Sequence, residues 1–91
     1  MKLIFCPKCQ DVVKLKRCKT FCDCNASWGY YKSDGLNAVI NNIAIPLGFA
    51  NNSLANALEN RPAKDMGEKF TAFVIPKKCA TIVVRRKNES L

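Results

Sequence analysis

The chain contains no histidine. That absence excludes Ser/His and Cys/His nucleophile pairs within the chain and every metal site with an imidazole ligand. Glycine is scarce, at 4 of 91 residues, and no glycine-rich loop that could cradle a phosphate can be built from them. The longest apolar run, Ile43 to Ala50, is broken by Pro46 and Gly48 and is too short to span a bilayer. Only Leu3, Ile4 and Phe5 separate Lys2 from Cys6, where an export signal needs roughly 7–15 apolar residues. A soluble protein of the cytoplasm is therefore expected, with no membrane partner. Ninety-one residues, 48% of them hydrophobic, suffice for one small folded domain and not for two full cores.

Acidic residues are also few. Seven Asp and Glu stand against fifteen Lys and Arg, for a formal charge of +8. Four thiolates around a divalent ion would lower the working value to about +6, which still favours acidic partners. The charge is uneven: residues 1–32 and 69–91 are basic, and the asparagine-rich middle is mildly acidic. No repeat stands out along the chain.

Periodicity gives an α+β expectation. Lys2–Phe5 reads as a short strand. Asp11–Lys16 alternates Val13 and Leu15 with Lys14 and Lys16, the pattern of a half-buried strand. Ser27–Lys32 is aromatic and β-prone. Leu36–Ile40 and Ile43–Ile45 suit short strands, the second stopped by Pro46. Residues 52–60 form the one convincing helix, with Asn52 or Ser53 as cap, Leu54, Ala57 and Leu58 as its core stripe, and Arg61-Pro62 as its end. Phe70–Ile75 and Cys79–Val84, separated by Pro76-Lys77-Lys78, predict a C-terminal β-hairpin, and Arg85-Arg86-Lys87 follows as a basic tail.

The strongest signal is Cys6-Pro7-Lys8-Cys9 followed by Cys22-Asp23-Cys24. A Cys-x-x-Cys turn directs two thiolates at one ion while backbone amides hydrogen-bond to the sulfurs. Four thiolates close a tetrahedral site and leave no position for a substrate, so the site is structural. Cys18, four residues before Cys22, is an alternative ligand. Iron in the same kind of four-thiolate cage is the competing metal. A dithiol oxidoreductase fits less well, because a strand-like segment and a second cysteine pair follow the first. Cys79 reads as a small buried hydrophobe.

In these residues the chain resembles the zinc-ribbon family over positions 1–32: a first knuckle at Cys6-Pro7-Lys8-Cys9, a β-excursion, a second cysteine pair and an aromatic strand. It departs from the usual repeated Cys-x-x-Cys in its Cys22-x-Cys24. The resemblance implies a ribbon lobe over 1–32 holding one structural Zn²⁺, packed with a small α+β lobe over 33–91 as one compact unit. More distantly, the whole chain, through Ile45-Pro46-Leu47-Gly48-Phe49-Ala50-Asn51, resembles short bacterial and phage proteins of unassigned function that carry a ribbon. A phage protein would act in the host cytoplasm.

Lys14 and Lys16 project from one face of the second strand, Lys8 and Lys19 flank the knuckles, and Trp28, Tyr30 and Lys32 share a face of the aromatic strand. Aromatics among cations suit base stacking beside phosphate contacts; the competing reading has Trp28 and Tyr30 packed over Val13 and Leu15 as core. Arg85 and Arg86 add a second basic cluster. No catalytic constellation emerges, so a non-enzymatic recognition module with no small-molecule substrate is expected. Its partner is nucleic acid or nucleic-acid-handling machinery, or else an acidic protein surface, as for a phage-encoded inhibitor of a host enzyme or defence complex.

Overall fold

The first apolar run, Lys2–Phe5, forms strand β1 in the computed structural model, which describes residues 1–85. Strands β2 (Val12–Lys14), β3 (Thr20–Phe21), β4 (Trp28–Tyr31), β5 (Ala38–Asn41) and β6 (Ile45–Phe49) follow. Helix α1 (Asn51–Glu59) comes next, then β7 (Ala72–Val74) and β8 (Ile82–Arg85). The fold is α+β, with two four-stranded sheets ordered β2-β1-β6-β7 and β3-β4-β5-β8. Each sheet takes strands from both sides of residue 32.

The sheets are joined where the chain leaves one for the other. The Leu15 amide donates to the Lys2 carbonyl in the first sheet, and the next carbonyl, that of Lys16, accepts from Tyr31 in the second. The expected alternation holds here: Lys14 and Lys16 are exposed, Val13 is half-buried and Leu15 is buried. Leu15 enters a core with Ile4, Ala38, Ile40 and Ala44, against which Val13, Tyr31 and Ile82 pack. The core thus draws on both sheets, and the Tyr31 hydroxyl pins them by accepting from the Lys2 amide at 2.8 Å.

Four local expectations are corrected. The C-terminal strands exist, but they do not form a hairpin: β7 pairs antiparallel with β6, and β8 pairs parallel with β5. The reason lies in β5, whose Ala38, Val39 and Ile40 are all buried. A strand covered on both faces needs a partner along each edge, and β4 supplies only one. Pro46 does not stop a strand but lies inside β6, opposite Ile4. Its carbonyl accepts from the Ile75 amide, so its nitrogen faces the same side, toward β7; proline cannot return that bond, and β7 ends one residue earlier, at Val74.

The helix begins after Ala50 without a side-chain cap. Its polar first turn ties down strands instead: Ser53 Oγ accepts from the Thr71 amide at 2.8 Å, and Asn51 Oδ1 accepts from the Met1 amino group at 2.9 Å. Of the expected core stripe, Ala57 is buried, but Leu58 is 64% exposed, so the stripe is narrower than its spacing suggests. No helix among the described residues is long and apolar enough to cross a membrane.

Candidate metal centre

Each cysteine pair sits at the tip of a two-stranded antiparallel ribbon. The first joins β1 to β2 and the second joins β3 to β4. The two turns are built alike. Cys6 donates its amide to the carbonyl five residues on, at Asp11 (2.9 Å), and Cys22 does the same to Ser27 (2.9 Å). In the first turn Gln10 returns an amide to the Cys6 carbonyl; in the second Asn25 returns one to Cys22. Both residues are left-handed, with φ of 62° and 64°, a conformation that asparagine adopts more readily than most side chains. The second turn reaches this reversal one residue sooner, which is why Cys-x-Cys serves where the first uses Cys-x-x-Cys.

The equivalence of the turns reveals a short repeat that a linear reading passes over: Phe5-Cys6-Pro7-Lys8-Cys9-Gln10 and Phe21-Cys22-Asp23-Cys24-Asn25. The Phe-Cys start and the amide residue after each second cysteine were the available signal. Asp11 joins the two copies, its Oδ2 accepting from the Asp23 amide at 2.9 Å.

The sulfurs of Cys6, Cys9, Cys22 and Cys24 all lie within 4.8 Å of one another. A tetrahedral ion with metal–sulfur bonds of about 2.3 Å requires sulfur–sulfur edges of about 3.8 Å. The Cys24 sulfur lies 3.7 Å from Cys6 and 3.6 Å from Cys22. The four cysteines are therefore positioned to hold a metal ion. Cys6 and Cys22 are buried, Cys9 half-buried and Cys24 exposed. Cys18 is exposed and stands outside this group.

The surroundings favour thiolate at Cys6 and Cys22. The Ser27 amide donates to the Cys22 sulfur at 3.3 Å. The Ser27 hydroxyl, fully buried beside Cys6, is the main influence bringing that thiol down to about 6, helped by the Cys9 amide. At Cys24 the Ala26 amide pulls the same way, but desolvation and the sulfurs of Cys22, Cys9 and Cys6 push the thiol up to about 12. Sulfurs this close cannot all carry charge unless a cation lies among them. Ser27 and Asp11 support the site without being cysteines, so ligand spacing alone did not point to them.

Cys79 lies just before β8 rather than in a hairpin, and it is half-buried, not fully buried. Its sulfur is 3.3 Å from Thr81 Oγ1, and this contact lowers the thiol's pKa. Cys18→Ser and Cys79→Ser should each keep the metal, measured as metal per chain by elemental analysis. Metal loss in Cys18→Ser would show that the ligand set is wrong.

The aromatic strand lies beside this centre. Trp28 and Tyr30 project to the face of β4 opposite the core, while Tyr31 packs inward, so the expectation that Trp28 and Tyr30 cover Val13 and Leu15 is not met. Their rings are nearly parallel, with centroids 6.4 Å apart. Lys19 Nζ stands 4.3 Å from the Trp28 centroid and 5.0 Å from that of Phe21, a residue the sequence reading did not single out. Lys8, Lys14, Lys16 and Lys32 are exposed but are not gathered into this cluster. Arg85 is half-buried at the end of β8, opposite Asn41, and Arg86 lies outside the described residues. Comparison with known proteins matched no family model, no curated protein and no solved structure.

Proposed function

We propose that the chain is a non-enzymatic recognition module of zinc-ribbon type, stapled by one structural Zn²⁺, that engages nucleic acid or the machinery handling it. The zinc reading rests on an all-thiolate donor set with tetrahedral spacing. Iron in the same cage would colour the protein, whereas zinc would not. Four protein ligands leave no open position on the ion, which argues against catalysis there.

One observation carries the recognition reading: a lysine ammonium held against two aromatic rings, with a third ring alongside, on a basic chain. Aromatics offer stacking surfaces to bases, and nearby cations neutralise phosphates. Lys14 and Lys16 add a pair of exposed charges held outward by the burial of Leu15 between them. Lys14→Glu/Lys16→Glu should weaken binding to DNA or RNA at least tenfold and flatten its salt dependence. Its melting temperature should stay near wild type, since exposed charges contribute little to folding. If wild-type protein binds neither DNA nor RNA at low ionic strength, this reading fails.

A second reading, a protein-binding effector such as a phage-encoded inhibitor, draws on a different feature. An apolar groove of about 540 Å³, lined by Ile43, Ile45, Val74, Ile75, Ile82 and Val84, opens between the two sheets. A partner seated there would resist salt, and co-purification of one protein after nuclease treatment would favour it.

A further inference from the structure

We infer that the outer face of the β3-β4-β5-β8 sheet binds single-stranded nucleic acid, with bases stacked on Phe21, Trp28 and Tyr30 and a phosphate met by Lys19. This rests on the nucleic-acid reading above and names both the face and the strandedness.

The register defines the face. Phe21 lies opposite Trp28, Tyr30 opposite Val39, and Val39 beside Val83. Side chains at paired positions project to the same side of a sheet. The other side carries Tyr31, Ala38, Ile40 and Ile82 into the core against the first sheet. The outer side is exposed toward its edges, with Phe21 44% and Val83 36% exposed, while Trp28 and Tyr30 are half-buried and Val39 between them and Val83 is fully buried. Phe21, exposed, and the half-buried Trp28 and Tyr30 leave an aromatic surface on the sheet that a ligand can cover.

Charge complementarity selects the ligand. None of the four strands carries an Asp or Glu. Lys19 stands over Trp28 and Phe21, so a cation and two π-faces share the space of about one nucleotide. Lys32, exposed just beyond β4 and outside that cluster, adds a further positive charge near this sheet. Stacking on protein rings requires bases that are free of their own stack, which a duplex does not offer and a single strand does. Every base has a π-face, so this surface should tolerate many sequences.

Trp28 is the only tryptophan, so its emission reports on the face directly. The metal-loaded full chain is titrated with a fluorescein-labelled oligothymidylate of about twelve nucleotides, within the range of such sites. A duplex of the same length is titrated in parallel. The single strand should bind more tightly and quench Trp28. Trp28→Phe should retain binding, whereas Trp28→Leu should lose roughly 5- to 100-fold, the usual worth of one stacked base. Lys19→Gln, an exposed change that leaves the fold intact, should weaken binding and reduce the salt slope by about 0.7.

If the duplex binds more tightly, or Lys19→Gln and Trp28→Leu both bind the single strand as wild type does, the single-strand assignment is overturned while the nucleic-acid reading stands. If neither probe binds at low salt, both fall. Metal content identifies any variant that has failed to fold, and Lys19→Gln then decides.

Discussion

Cys6→Ser is expected to release the metal and abolish the cooperative fold of both sheets, not only of the first ribbon. Cys6 is fully buried at the end of β1, a strand paired on both edges by β2 and β6. Its sulfur meets Cys22 and Cys24 from the tip of the other ribbon, so an ion held by the four cysteines would link the two sheets at their ends. Structural zinc contributes about 10–16 kcal/mol in small peptides, as much as the whole stability of a typical domain, about 5–15 kcal/mol. The buried core offers little in reserve, its largest members being Ile4, Leu15, Val39 and Ile40. Losing one of four thiolates should therefore exceed the margin. A strong chelator should do the same to wild-type protein, and so should acid, because protons compete with the ion for sulfur as pH falls. Circular dichroism melts with parallel metal analysis measure this. Metal-free protein that melts cooperatively at the wild-type temperature would refute the role of the site.

The cysteine chemistry was legible because it depends on local spacing: thiolates two or three residues apart converge however the rest of the chain folds. The strands were legible for a similar reason. Alternation located Val13 and Leu15 against Lys14 and Lys16, and β-branched or aromatic runs marked Trp28–Tyr31 and Ile82–Arg85. Partners were not legible. Nothing local to Cys79–Val84 says that it will lie parallel to Ala38–Asn41, because that pairing is set by the need of a distant buried strand for a second edge. Pro46 misled because a proline is tolerated within a strand where the one bond it cannot return falls at the end of its neighbour, and that depends on where β7 ends. Asn51 and Ser53 have the chemistry of caps, yet tertiary donors from Met1 and Thr71 claim them. Phe21 escaped notice because a two-residue strand has too little length to show a period.

Gly29→Val should be among the most damaging single substitutions outside the metal ligands, and Gly48→Ala should be mild, although added atoms crowd both positions. At Gly29 a Cβ would stand 2.8 Å from Leu15 Cδ2, 3.0 Å from Ile40 Cγ2 and 3.2 Å from the Val39 carbonyl oxygen. Leu15 and Ile40 are 2% and 1% exposed, and the carbonyl belongs to the neighbouring strand, so none of the three can retreat. At Gly48 the contacts are closer, 2.6 and 2.7 Å, but both are to the ring of Phe73, which is 49% exposed and can swing into solvent. The mobility of the neighbour, rather than the distance, decides the cost. Overpacking an inflexible core costs about 1–3 kcal/mol, so Gly29→Ala should fall at the upper end and Gly29→Val should reach about 3 kcal/mol or more. For Gly48→Ala the reduced freedom of the unfolded chain returns about 0.5–1 kcal/mol, leaving a net change within about 1 kcal/mol. Gly29 also lies between Trp28 and Tyr30, so pushing β4 away from Leu15 would displace the aromatic pair, and binding should fall along with stability. Denaturant titrations of the metal-loaded variants measure the stability difference. Equal stability of Gly29→Ala and wild type, or greater damage from Gly48→Ala, would show that the core around Leu15 yields more readily than its burial implies.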